Sequence, residues 1–257
     1  MKSLFLAWQA PADSKQARAW FPIGRLDADV ERPRYRFCYT QGALKAKPEA
    51  GFGPLFAFPE LNAVYESNDL FPLFQNRVLS PKRSDFNEYI RWLDLDRAQA
   101  DPISILSVSG GECVTDNLEV FPKIKTDADG NFTVRFFLHG LRHLGEAAMQ
   151  RALKLTQGES LRIAVELNNP VTRLAVTLST EDYQMIGWTP RYLVSDLICC
   201  VPNAPELSAR VARINSEDAP MNQRILIDFH GRTPNGAELM ATPDFCPLIV
   251  AAATAAS

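Results

Sequence analysis

Several features that point directly to a function are missing from this sequence. Its five cysteines, at positions 38, 113, 199, 200 and 246, show no C-x-x-C spacing, which argues against a zinc site and favours reduced, structural thiols. No segment approaches the roughly 18 consecutive apolar residues of a membrane helix, and the first apolar stretch is too short for a secretory signal. We therefore expect a cytoplasmic protein with no membrane partner.

Positive charge is also scarce. The 27 lysines and arginines are outnumbered by 30 aspartates and glutamates, for a net charge of −3, which argues against a broad basic surface that grips many phosphates of a duplex. Any nucleic-acid site must be small and local. Because no nucleophile, base and oxyanion donor can be assembled from the motifs, we expect no enzyme activity and no catalytic residue. We also expect no cofactor and no metal site.

The pattern of apolar residues predicts an α+β protein with two modules, residues 1–122 and 123–257. In the first, strands are predicted near residues 4–8, 20–26, 35–39 and 117–121, with a turn at 40–42, a loop rich in Gly and Pro at 47–59, and short helices beginning near 71, 86 and 102. In the second, strands are predicted at 132–138, 161–167, 175–178, 184–188, 208–214 and 224–229, with helices at 145–155 and 191–200. This second pattern fits a small half-open β-barrel that carries helices.

Four segments of the second module follow one another in a familiar order. They read FFLHGLRH (136–143), LKLTQGESLRIAVELNNP (153–170), AVTLST (175–180) and IGWTPRYL (186–193). In order and spacing they resemble the HIRAN domain, and the resemblance covers roughly residues 131–230. It implies an OB-like barrel that binds single-stranded DNA or DNA 3′ ends.

The resemblance assigns roles to five residues. Its G-x-R-aromatic-aromatic turn falls on residues 140–144, where Arg142 would contact phosphate and His143 would stack on a base, although His143 and Leu144 replace aromatic residues. Its N-P-aromatic-Asp segment, which in the family helps to hold the terminal nucleotide, begins at Asn169, but Val171 and Thr172 replace the aromatic ring and the acid. Its G-x-x-x-basic segment supplies the ring of Trp188 and the guanidinium of Arg191.

These residues also have plainer interpretations. Trp188 can be a buried or rim aromatic, because aromatic residues of small barrels are usually buried. Arg142 can form an ordinary surface ion pair with Glu146, four residues further on. The Asp127 to Gly130 segment resembles part of a calcium loop, but it lacks the distal glutamate and is predicted to be a turn.

The first module resembles the N-terminal subdomain of HipA-type toxin kinases. The segments that carry this resemblance are FCYTQGAL (37–44), PLFAFPEL (54–61), LFPLFQNRVLS (70–80) and DPISILSVSGGE (101–112). No kinase lobe follows them, so the resemblance implies a module that docks a kinase-like or other protein partner through residues 1–122. Two hypotheses follow: a DNA-binding accessory protein, or a protein-interaction adaptor of toxin-antitoxin type whose barrel no longer binds DNA.

Overall fold

The structure, a computed structural model, describes residues 1–16, 18–113 and 116–249 of a mixed α+β protein with two antiparallel sheets. Contacts divide the chain into two compact units. Unit 1 contains residues 1–78, 110–123 and those from Ala241 onward, and unit 2 contains residues 79–109 and 124–240. One crossing from unit 1 to unit 2 falls at Ile124, beside the predicted boundary, but the chain also crosses between the units at Leu79, Gly110 and Ala241. The contiguous domains 1–122 and 123–257 therefore stay a prediction.

Unit 1 is built on a five-stranded sheet with the order β4-β3-β2-β1-β5. Its strands are β1 (Lys2–Gln9), β2 (Trp20–Asp29), β3 (Arg34–Tyr39), β4 (Val64–Ser67) and β5 (Leu118–Pro122). The core is aromatic, and the rings of Phe37 and Phe58 stack with their centroids 3.9 Å apart. The buried Tyr39 hydroxyl donates to the Phe58 carbonyl and accepts from the Leu55 amide, both at 2.7 Å. These bonds fix the loop above the sheet.

The first helix of unit 1 corrects a prediction. Helix α1 (Gln41–Ala50) occupies the predicted turn at residues 40–42 and the start of the predicted loop, and the short α2 (Pro72–Gln75) follows later. Gly42 and Pro48 each disfavour a helix, but α1 needs a small residue where it meets the sheet. A Cβ atom at Gly42 would lie 2.1 Å from the Pro22 carbonyl oxygen. Packing therefore overrides local propensity.

Unit 2 is built on a six-stranded sheet with the order β6-β11-β10-β7-β8-β9. Its strands are β6 (Asn131–Phe137), β7 (Ser160–Asn169), β8 (Arg173–Ser179), β9 (Met185–Trp188), β10 (Ser208–Ile214) and β11 (Ile225–Arg232). Every strand predicted for this half is confirmed within a few residues. The alternation holds because one face of the sheet buries apolar side chains, among them Val176 and Leu178 of β8.

The helices of unit 2 are α3 (Phe86–Trp92), α4 (Pro102–Ser109), α5 (Glu146–Ala152) and α6 (Arg191–Cys199). Helix α4 begins at a capping residue, since the Asp101 carboxylate accepts from the amides of Ile103 and Ser104 at 2.9 and 3.1 Å. Helix α6 buries Leu193 and Leu197. In the described part of the chain, no helix is both long enough and apolar enough to cross a membrane.

The β7–β8 hairpin leads to the candidate site. Strand β10 pairs with β7 only at Ser160 and Leu161, whereas β8 pairs with β7 from Arg162 to Asn169. The outer part of the hairpin therefore extends past the neighbouring strand, and many of its side chains are exposed.

Candidate nucleic-acid interface

Two of the predicted segments are joined by backbone hydrogen bonds. The amide of His139 donates to the carbonyl of Trp188, and the amide of Trp188 donates to the carbonyl of His139, both at 3.0 Å. This pair connects the end of β6 to β9, which are the first and last strands in the order of the sheet. The Gly140 turn, with Arg142 and His143 on it, is thereby held next to Trp188.

The indole of Trp188 packs against the backbone of Gly140. Gly140 has φ +81°, and a Cβ atom at this position would lie 2.2 Å from Cε3 of Trp188. Only glycine both adopts this backbone conformation readily and leaves room for the ring. Trp188 itself is half-buried, so it matches neither a fully buried core residue nor a free surface residue.

Glu166 is the central residue of the site, and sequence analysis gave it no role. Its Oε2 accepts hydrogen bonds from Nε1 of Trp188 at 2.9 Å and from Nδ2 of Asn169 at 3.0 Å. These bonds, first that of Asn169 and then that of Trp188, lower the pKa of Glu166 below its ordinary value. At neutral pH the carboxylate is therefore ionised, and it links the ring to the hairpin turn.

Asn169 shapes the turn between β7 and β8. Its Oδ1 accepts from the amides of Val171 and Thr172 and from the Thr172 hydroxyl, each at 3.0 Å. Because Oδ1 holds the turn and Nδ2 holds Glu166, the structure gives Asn169 a positioning role. Arg173, opposite Asn169 in the hairpin, is exposed and has φ +65°.

Some arginines of unit 2 are paired with carboxylates and others are not. Arg135, Arg151, Arg213 and Arg232 each form an ion pair with a carboxylate. Within the described residues, the exposed Arg142, Arg162 and Arg173 form none. The predicted surface pair of Arg142 with Glu146 is thus not formed, and Nε of Arg142 lies 3.1 Å from Nε2 of His143.

Arg191 is the first residue of α6 and acts electrostatically on His139. Burial, and after it the positive charge of Arg191, lower the pKa of His139 to about 4. The imidazole is therefore neutral at pH 7. Arg191 is half-buried at the start of a helix, a position where helix amides and a guanidinium together favour an anion.

The five predicted residues thus lie on three segments that the structure connects. Gly140 touches Trp188, Trp188 bonds to Glu166, and Glu166 bonds to Asn169. Arg142 and His143 follow Gly140 by two and three residues, and Arg191 follows Trp188 by three. We call Gly140, Arg142, Glu166, Asn169 and Trp188 the indole cluster.

The Asp127 segment, which resembles part of a calcium loop, has a structural explanation. The Asp127 carboxylate accepts from the amides of Asp129 and Asn131 at 2.9 and 2.8 Å, which confirms the predicted turn. A shallow open depression beside this turn is lined by Lys125, Asp127 and Phe132, away from the indole cluster. Within the described residues, no three His, Cys, Asp or Glu side chains are placed to hold a metal ion.

Comparisons with known proteins identify no family. No protein-family model matches the chain, and no curated protein matches it significantly. Among solved structures, the chain is similar to the crystal structure of a protein from Lactobacillus plantarum, with 15% identity and a TM-score of 0.31. The match covers 40% of this chain and all of that one. A similarity this weak carries no argument about fold or function.

Proposed function

We propose that unit 2 binds single-stranded DNA, at or near a 3′ end, through the indole cluster and Arg191. The observation that carries the proposal is the fixed, half-buried indole of Trp188. This residue ends β9, its ring packs against the Gly140 turn, and α6 begins three residues later. Aromatic rings that stack bases and arginines that contact phosphates are the usual elements of single-strand recognition. We further propose that this unit is a HIRAN-like, OB-like barrel, which the backbone pairing of β6 and β9 through His139 and Trp188 supports.

The first test is removal of a phosphate contact. We expect Arg142→Ala and Arg191→Ala each to weaken the binding of a labelled single strand several-fold and to lower the slope of log K against log salt by about 0.7. Fluorescence anisotropy at several salt concentrations measures both quantities. Arg142 is the cleaner probe because it is exposed and forms no ion pair among the described residues.

Arg91→Ala is the matched control. Arg91 is also exposed, but it lies on α3 and its Nε donates to the Asn87 carbonyl of the same helix. We expect its removal to leave the affinity and the salt slope almost unchanged. Equal losses in all three variants would indicate nonspecific attraction, and the absence of salt-dependent binding in the parent protein would reject the proposal.

The charge of Glu166 leads to a second prediction, about the chemical group at the 3′ end of the bound DNA strand. The carboxylate is ionised and bonded to Asn169, beside the turn where the resemblance places the terminal nucleotide. A 3′ phosphate at this turn would be repelled, whereas a free 3′ hydroxyl would not. We expect an unphosphorylated 3′ end to bind about five-fold more tightly, equivalent to about 1 kcal/mol for a solvent-exposed charge pair.

Glu166→Gln separates charge from geometry. Its amide oxygen still accepts from Trp188, but the repulsive charge is gone, so the preference for a free 3′ hydroxyl should largely disappear. The same anisotropy assay, run with 3′-hydroxyl and 3′-phosphate strands on both proteins, measures it. If Glu166→Gln keeps the same preference for a 3′ hydroxyl, this carboxylate does not discriminate between the two kinds of 3′ end.

A second candidate function rests on the outer surface of the same hairpin. Leu167, Val171 and Leu174 are exposed there, with Leu167 at 68%, and exposed apolar residues in a group favour contact with another protein. This observation favours an adaptor whose barrel has lost DNA binding, with the HipA-like first half, residues 1–122, docking a kinase-like or other protein. Absence of binding to every nucleic acid at low salt would select this alternative.

A further inference from the structure

A second aromatic and cationic pair lies on the same hairpin face as the indole cluster. Cζ of Arg162, on β7, lies 4.5 Å from the ring centroid of Tyr183, in the turn between β8 and β9. Tyr183 is 74% exposed. We propose that Arg162 and Tyr183, called here the tyrosine pair, form a second base-stacking position for the same single strand. This inference rests on the proposed function.

The turn that carries Tyr183 is held in place by the buried residue Thr180. Thr180 is fully buried, and its hydroxyl bonds with the amide and carbonyl of Gln184 at 3.2 and 3.3 Å. The amide of Tyr183 donates to the Thr180 carbonyl at 3.0 Å. The tyrosine is therefore held outward by a buried anchor, so its ring needs little ordering to accept a base.

The backbone of Tyr183 is in an unusual conformation for its residue type. Its φ is +62°, a left-handed value that glycine or asparagine adopts more readily than a bulky aromatic. An exposed ring adds little to folding, so stability alone does not explain a tyrosine here. Strain of this kind at an exposed residue supports a role in binding.

Strand register places both sites on one face. Arg162, Ala164 and Glu166 alternate along β7 toward the same side, and Ala164 pairs with Thr177, which pairs with Trp188. The four residue steps from Arg162 to Glu166 span about 13 Å at 3.3 Å per residue. The small side chains of Ala164 and Thr177 lie between the tyrosine pair and the indole cluster along β7 and β8.

The guanidinium of the tyrosine pair suits a phosphate of the strand backbone. Nε of Arg162 donates to the Glu181 carbonyl at 3.4 Å, and the guanidinium forms no ion pair among the described residues. The adjacent carboxylate of Asp182 is engaged by Arg151 at 3.2 Å, which reduces its repulsion. A cation over one face of an exposed ring, beside an open sheet face, is complementary to a base with its phosphate.

The test is the dependence of affinity on strand length. A strand of about three nucleotides should fill the indole cluster alone, whereas one of about twelve should also reach the tyrosine pair, within the usual 4–16 nucleotides of such a barrel. We expect Tyr183→Ala to weaken binding of the long strand by roughly five-fold or more, the effect of one lost stacking position, and to leave the short strand unchanged. Tyr183→Phe should bind both strands like the parent.

Tyr183→Gly guards against a folding artefact, because glycine tolerates the left-handed backbone. Its urea midpoint of unfolding should be at least as high as that of the parent, yet its affinity for the long strand should fall as much as that of Tyr183→Ala. RNA strands of the same lengths and matched sequence show whether the site prefers DNA to RNA. If the parent shows no length dependence, or Tyr183→Ala and Tyr183→Gly bind the long strand normally, this inference fails while the proposed function stands. If no strand of either length binds, both fail.

Discussion

Gly140→Ala is expected to destabilise unit 2 by about 3 kcal/mol and to remove single-strand binding. Two costs combine at this position. An alanine at φ +81° loses about 1–2 kcal/mol relative to glycine, and its Cβ, 2.2 Å from Cε3 of Trp188, adds an overpacking cost of about 1–3 kcal/mol. Relief of the clash requires the indole to move, which would break its bond to Glu166. Urea unfolding measures the first effect and anisotropy the second.

Two other glycines separate these costs. Gly158 has φ +84°, and a Cβ atom at this position would meet no other atom within 4 Å. Gly158→Ala therefore carries the backbone cost alone. Gly145 has φ −66° and is equally open, so Gly145→Ala carries neither of these costs. It should lose only about 0.5 kcal/mol, because Gly145 is the N-cap of α5, where glycine is preferred over alanine. The expected order of stability loss is Gly140→Ala, then Gly158→Ala, then Gly145→Ala. Equal losses of stability in Gly140→Ala and Gly158→Ala would show that a Cβ atom at residue 140 does not disturb the packing of Trp188.

Much of unit 2 could be predicted from the sequence because its strands bury one face only. Alternation of period two then appears directly in the residues, and β10 was predicted with the bounds it has, Ser208–Ile214. Unit 1 was harder in two places. Helix α1 contains Gly42 and Pro48, which indicate a turn or a loop, and the four residues of β4 form a short edge strand with weak alternation. In α1 a close contact with the sheet outweighs local propensity.

The candidate site was predictable in its segments but not in its connections. The order of the motifs led to Arg142, Asn169, Trp188 and Arg191, yet it gave no role to Glu166. That role depends on the β7–β8 register and on an irregularity between Glu166 and Asn169, and residue patterns do not fix such a register. The prediction that Asn169 binds DNA stays a prediction, and the structure adds that its amide group holds Glu166 and the hairpin turn.

Tyr183 was missed for a related reason. It lies in the turn segment between β8 and β9, where one aromatic residue among polar ones gives no periodic signal. Only its contact with Arg162, on a strand 21 residues earlier in the numbering, relates it to the indole cluster. Function that depends on strand pairing therefore needs the fold before it becomes visible.

The stability of unit 2 should fall by up to about 3 kcal/mol as the pH drops from 6.5 to 4. His139 has an ordinary pKa of 6.5, and burial with the charge of Arg191 lowers it to about 4 in the folded protein. Within this window the unfolded chain takes up the proton and the folded one does not, at about 1.4 kcal/mol per pH unit. The contribution is fully present above pH 6.5 and is lost as the pH falls toward 4. Urea unfolding at a series of pH values measures the slope.

His139→Gln should flatten this slope because a neutral side chain takes up no proton in either state. His143→Gln is the matched control, since His143 is exposed and lies only four residues further along the chain, and it should keep the slope of the parent. Protonation of the carboxylates, including Glu166 with its lowered pKa, adds a further loss at more acidic pH in all three proteins. A slope between pH 6.5 and 4.5 that persists unchanged in His139→Gln would show that groups other than His139 cause it and would contradict the prediction.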